Sequence, residues 1–178
     1  TDLPDAHADD LDALLWCLSC AELPGDVAEF GVFQGRSLRA MAEQQPLRTV
    51  HGFDSFLGLP EEWVRPTDST YGKGHFSTGA LPQSHAEHRN IQIHPGFFDA
   101  SLPVWQCTLR RPLALLHIDA DLYSSARYVL DTLNDAIVPG TVIVFDELSD
   151  WRNSGVYPQW EEGEWRALKE WMHVRGRC

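Results

Sequence analysis

Residues Pro112 to Glu147 read PLALLHIDADLYSSARYVLDTLNDAIVPGTVIVFDE. Leu113 to Ile118 is an apolar run interrupted only by His117, and Thr141 to Phe145 is a second run of similar length. Short runs that are apolar on both faces belong to buried strands of a parallel sheet. Between them, Ser124 to Ile137 places apolar residues at helical spacing, and Pro139-Gly140 punctuates the return. Strand, helix and parallel strand make a βαβ unit, the building block of an α/β fold. Each strand ends in acid, with Asp119 and Asp121 after the first and Asp146 with Glu147 after the second.

The same alternation extends toward the N-terminus. Val27 to Val32, Arg48 to Phe53 and Asn90 to His94 read as strands, and Arg36 to Gln45, Gln83 to Arg89 and Ser101 to Thr108 have helical character. Leu11, Leu14, Leu15 and Leu18 mark an opening amphipathic helix over 9–21 that Pro24 and Gly25 terminate. The pattern predicts one domain over 1–178: a doubly wound, Rossmann-like core over 25–148, its mostly parallel sheet covered by helices on both faces, and then an aromatic-rich segment over 151–178. In such sheets the ligand sits outside the carboxyl ends of the strands. Four of the five predicted strands end in carboxylates, so chemistry is expected there.

Composition narrows the function classes. The 178 residues carry 14 Lys plus Arg against 26 Asp plus Glu, a net charge of −12 that repels nucleic acid and anionic lipid. No apolar run approaches the ~20 residues of a membrane span. The acidic stretch Thr1 to Asp12 lacks the order of a secretory signal, and Cys17, Cys20, Cys107 and Cys178 are too irregular for a disulfide framework. A cytoplasmic protein that acts on a small molecule is expected. Cys17 and Cys20 form a CxxC without a second pair to complete a zinc site, and His85 with His88 lacks the Glu of a zincin helix. His117 reads more readily as a satisfied histidine than as a ligand.

Two glycines, Gly31 and Gly35, lie in the turn EFGVFQGRS over 29–37, which runs from the first strand into a helix. They permit close backbone approach, and the helix start offers free N–H groups to a carboxylate. Asp54, about 20 residues further on, reads in two ways: an acceptor for ribose hydroxyls, or an Asx turn into Ser55. The clustered acids Asp119, Asp121, Asp146 and Glu147 repel one another unless a cation or shared protons intervene. Oxygen donors in a water-rich site favour Mg2+, with Asp119, Asp146 and Glu147 as ligands. The long Gly- and Pro-rich loop Ser55 to Leu81 reads either as a lid over the site or as a surface excursion.

Taken together, EFGVFQGRS, HGFDSFLGLPEEW, HPGFFDASLP, LLHIDADLYSSARYVLDTL and PGTVIVFDEL resemble the macrocin O-methyltransferase family of S-adenosylmethionine-dependent enzymes. The resemblance spans roughly Gly25 to Leu148. It implies a class I methyltransferase fold with S-adenosylmethionine across the ends of the first strands. Glu29, Gly31, Gly35 and Ser37 would then surround its methionine end, Asp54 with Ser55 its ribose, and Phe98 its adenine. Asp119 would serve metal and cofactor, and Asp121 would take the proton of a hydroxyl on the acceptor. The resemblance also implies natural-product sugars as acceptors and a possible homo-oligomer. The family usually ends with two further strands, and here Met172 to Cys178 offers length for one edge strand only.

Two rival readings remain at this level. Asp119-x-Asp121 after a buried strand also resembles the opening of haloacid-dehalogenase-like phosphohydrolases. The alternative is a cofactor-binding domain that is non-catalytic or part of a longer enzyme.

Overall fold

The structure, a computed structural model, describes residues 10–64, 70–82, 87–148 and 159–176. Its elements are α1 (Asp10–Ser19), β1 (Val27–Phe30), α2 (Arg36–Gln44), β2 (Val50–Asp54), β3 (Ile91–Pro95), α3 (Phe98–Gln106), β4 (Leu115–Ile118), α4 (Tyr123–Thr132), β5 (Val142–Phe145) and α5 (Glu164–Arg175). One-turn 3-10 segments at Asn134–Ala136 and Trp160–Glu162 precede β5 and α5.

The five strands form one sheet in the order β3-β2-β1-β4-β5, and every ladder is parallel. The order reverses at β1, between β2 and β4, so the crevice expected of a doubly wound sheet opens beyond the ends of these strands. The register aligns those ends: Phe30 pairs with both Phe53 and Ile118, and Ile118 with Phe145.

Strand periodicity divides the core into two layers. Val27 and Leu115 turn toward Leu14 and Leu18 of α1 and Leu38 and Met41 of α2. Phe30, Leu116 and Ile118 turn the other way, toward Leu102 and Trp105 of α3, Val129 and Leu130 of α4 and Trp171 of α5. Each central strand is buried on both faces, so its apolar residues do not alternate with polar ones.

The α/β doubly wound expectation is met, with local differences. The third helix begins at Phe98, a turn before the expected Ser101, because Pro103 is accommodated inside the helix and does not start it. Among the described residues, the edge strand expected from Met172 onward does not form. Met172 to Arg175 continue α5, which stops at Gly176 in the left-handed conformation (φ 61°). Ala167 and Trp171, a turn apart on one face, are buried in the core, which extends the helical pattern past Trp171. Most of the helix expected over Gln83 to Arg89, His85 within it, and Trp151, Tyr157 and Cys178 lie outside the described residues.

Among the described residues, no helix is long and apolar enough to cross a membrane. Cys17 and Cys20 are unbridged, and His88 Nε2 lies 3.3 Å from Glu43 Oε1 as an ordinary surface pair.

Candidate functional site

A cleft of about 590 Å³ opens at the carboxyl end of the sheet. Six of the sequence-predicted residues line it: Gly31, Asp54, Ser55, Phe98, Asp119 and Asp121. The strand register brings them together, because the turns after β1, β2 and β4 leave the sheet at the same level.

Gly31 stands where the chain leaves β1. Its φ is 99°, and a Cβ there would sit 1.8 Å from the carbonyl oxygen of Asp119. Only glycine lets the ends of β1 and β4 approach this closely.

Asp54 makes the Asx turn and also lines the cleft. Its Oδ1 accepts the N–H of Phe56 at 2.7 Å, which is the Asx turn. Its Oδ2 accepts the N–H groups of Val32 at 2.9 Å and Phe33 at 2.8 Å, so one carboxylate ties the β1 turn to the β2 turn. With about four lone-pair positions on a carboxylate, one remains toward the cleft. Phe33 and Phe56 are both held at positive φ (49° and 55°), as are Phe76 and Asp121 (64° and 59°). Phe33, Phe76 and Asp121 line the cleft, and strained backbone of this kind gathers at functional sites.

Five other expected residues, Glu29, Gly35, Ser37, Asp146 and Glu147, are not among the residues lining the cleft. Gly35, at φ 78°, starts α2, whose N-terminus has no side-chain cap, and Ser37 lies in its first turn. Glu29 and His117 are register partners on β1 and β4, both buried, and His117 Nδ1 lies 2.9 Å from Glu29 Oε1. His117 is therefore satisfied, as expected, while Oε2 of Glu29 is buried without a hydrogen-bond partner.

A ring nitrogen of His117 and one carboxylate oxygen each of Asp119 and Asp146 lie within 4.8 Å of one another. This grouping takes His117 in place of the expected Glu147, whose backbone N–H is donated to Glu164. Burial, and after it the charges of Asp146, Asp121, Glu164 and Glu29, push the Asp119 carboxyl well above the usual carboxylate range. Burial also raises Asp146, against the pull of His117. A divalent cation or shared protons would relieve such a set, and two carboxylate oxygens with one imidazole could hold a cation.

Sequence reasoning missed three participants. Glu164, at the start of α5, is fully buried, and its carboxylate accepts N–H groups from Ala120 at 2.9 Å and Glu147 at 3.2 Å. Lys73 lines the cleft and is the sole cation among its described lining residues. Phe76 lies edge-on to Phe33 across the entrance. Lys73 and Phe76 sit on the loop following Ser55, and its length and glycine content were the signal for them. Its Leu59 and Trp63 pack on Leu122, directly after Asp121, so the loop is a wall of the cleft and not a surface excursion.

The family model for macrocin-O-methyltransferase (TylF) matches residues 5–162. The chain belongs to this family. A curated relative, the 8-demethyl-8-(2,3-dimethoxy-alpha-L-rhamnosyl)-tetracenomycin-C 4'-O-methyltransferase of Streptomyces olivaceus, is 30% identical over 158 residues, covering 77% of this chain. The chain spans 59% of that relative's length. Among solved structures, the calicheamicin methyltransferase CalS11 superposes with a TM-score of 0.73 at 24% identity, covering 94% of this chain and 72% of that one. The O-methyltransferase from Bacillus cereus, in complex with SAH, gives a TM-score of 0.58 at 15% identity, covering 99% and 73%. These likenesses establish the class I methyltransferase fold. Membership in the TylF family sets aside the phosphohydrolase reading of Asp119-x-Asp121.

Proposed function

We propose that this TylF-family domain binds S-adenosylmethionine in the cleft and transfers its methyl group to a hydroxyl of a small glycosylated natural product, assisted by Mg2+. The observation that carries the reading is the placement of Asp54 and Gly31 on one wall of the cleft and of Asp119 and Asp121 on the adjoining one.

When bound, S-adenosylmethionine supplies an electrophilic methyl on sulfur, and Mg2+ lowers the pKa of a hydroxyl that it coordinates. The remaining work falls to the chain. The open lone pair of Asp54 orients the ribose hydroxyls, and the positive end of α2, near Ser37, attracts the carboxylate of the methionine end. Phe98, with Phe97 beside it, offers an apolar surface for the adenine. Asp119 and Asp146, with a ring nitrogen of His117 within reach, would hold the metal. Asp121, locked at φ 59° beside Asp119, accepts the proton that leaves the acceptor hydroxyl. Lys73 and Phe76 face the open side, where the acceptor enters.

Support for a sugar hydroxyl as acceptor comes from the curated relative, whose name specifies a rhamnosyl 4'-O-methyltransferase. Calorimetric titration of S-adenosylhomocysteine, with and without Mg2+, tests the site without knowledge of the acceptor. Micromolar binding, with any Mg2+ dependence lost in Asp146→Ala, is expected. A folded protein that does not bind it removes the reading. Methyl transfer to a panel of rhamnosides, read as a mass gain in the product, then tests the acceptor class.

A further inference from the structure

We propose that Glu164 is a positioning residue that sets the spacing of the two acidic strand ends, and through it the affinity of the site for a divalent ion. The inference rests on the metal-assisted reading above.

The β4 and β5 ladder ends with the N–H of Asp146 donated to the carbonyl of Ile118 at 3.0 Å. Beyond that point the two chains part, and their next inward N–H groups have no strand partner. Ala120 lies between Asp119 and Asp121, and Glu147 follows Asp146. One planar carboxylate accepts from both, with Oε1 on Ala120 and Oε2 on Glu147. Buried N–H groups require acceptors, and here a single rigid group supplies two, so the separation of the loops is fixed by its geometry.

The chemistry of the residue supports the assignment. Burial, and more weakly the like charges of Asp121 and Asp146, push the Glu164 carboxyl well above the usual carboxylate range against the two N–H groups it accepts, so an acid is an unfavourable space-filler there. A carboxyl group holds two oxygens in one plane, and each of them takes one of the two converging N–H groups. The base of the clamp is firm. Ala167 and Trp171 of α5 are buried in the core, and Glu170 accepts from Arg127 at 3.0 Å and from the Tyr123 hydroxyl at 2.5 Å on α4.

Glu164→Gln keeps the shape but turns an amide NH2 toward one of the two N–H groups. In this variant Mn2+ affinity, read by electron paramagnetic resonance of the free ion with S-adenosylhomocysteine present, should fall about tenfold or more, while affinity for S-adenosylhomocysteine shifts by less than about threefold. The donor side is spared because Asp54 and the β1 turn do not touch Glu164. Glu170→Gln loosens α5 from α4 without reaching either loop, and should lower stability while leaving Mn2+ affinity unchanged. An unchanged Mn2+ affinity in Glu164→Gln, or equal losses in both variants, overturns the proposal.

Should Glu164→Gln fail to fold, amide hydrogen exchange on the unaltered protein decides. Protection at Ala120 and Glu147 that rises with Mn2+ is expected, and free exchange or protection indifferent to the ion overturns the assignment. A wild type that binds S-adenosylhomocysteine but no Mn2+ ends the metal reading and this inference together. A wild type that binds Mn2+ beside an indifferent Glu164→Gln ends only the inference.

Discussion

Glu29 Oε1 and His117 Nδ1 lie 2.9 Å apart across the β1–β4 ladder, where neither side chain is exposed. The pair sits at the sheet centre on the face toward α1 and α2, directly behind the acids of the cleft. Removing one partner of such a buried pair leaves a polar group without compensation. Glu29→Ala should therefore lower the unfolding free energy by about 3 kcal/mol, and Glu29→Gln, which keeps an acceptor, by much less. Urea denaturation checks this, and equal small losses in both would show that the contact contributes little.

Asp119 stands against stability in the metal-free protein. Burial and four neighbouring carboxyls raise it, so it takes up a proton on folding, and rising pH weakens the fold as that proton is lost. Asp119→Asn should raise the unfolding free energy at pH 7 without metal, by about 1 kcal/mol or more, and with it the midpoint, while abolishing divalent-ion binding. A lower midpoint in the variant would show that the carboxylate is held by something other than a cation.

Asp121 is the proposed proton acceptor, and its test separates chemistry from binding. Asp121→Asn should cut turnover by about 100-fold or more while leaving the affinity for S-adenosylhomocysteine near its original value. Near-normal turnover would transfer the role to another group.

His94 and His51 share a hydrogen bond at 3.0 Å on the α3 side of the sheet, away from the cleft. Burial, and then the charge of His51, hold His94 down to about 4. Unfolded histidine titrates near ~6.5, so the native state is favoured above that value and loses this contribution as pH falls from about 6.5 toward 4. The raised acids act in the opposite sense over the same range, so a difference between proteins is the proper measure. Between pH 7 and 5 the loss of stability should be smaller in His94→Gln than in the unaltered protein. Identical slopes would remove the pair as an acid-sensitive element.

Much of this was legible in the sequence. Apolar runs marked all five strands within a residue or two, because strands buried on both faces cannot hide among polar residues. The acids at the strand ends were legible for the same reason, since a charge directly after a buried run needs a purpose. Asp54 was legible as a choice of two roles, and the fold shows that the Asx turn and the cleft position coexist. Glu164 was not legible. It sits in a Glu-rich stretch that reads as a solvated helix face, and only the return of α5 to the strand ends buries it. Lys73 and Phe76 were invisible individually, because their position depends on the path of a loop without periodicity. Length alone, from Met172 onward, suggests room for an edge strand, whereas Met172 to Arg175 continue the helix that buries Ala167 and Trp171.

The three backbone N–H groups gathered by Asp54 have a kinetic meaning. The rim that would receive a nucleoside is shaped before any ligand arrives, with the aromatic residues at its bends already in their uncommon backbone conformations. A ligand settling there orders itself but has little of the protein to reorder, so the entropic cost of association falls mainly on the newcomer. Capture should then be paced by entry past Phe76 and Lys73, and the residence time by how well the open side of the cleft is covered.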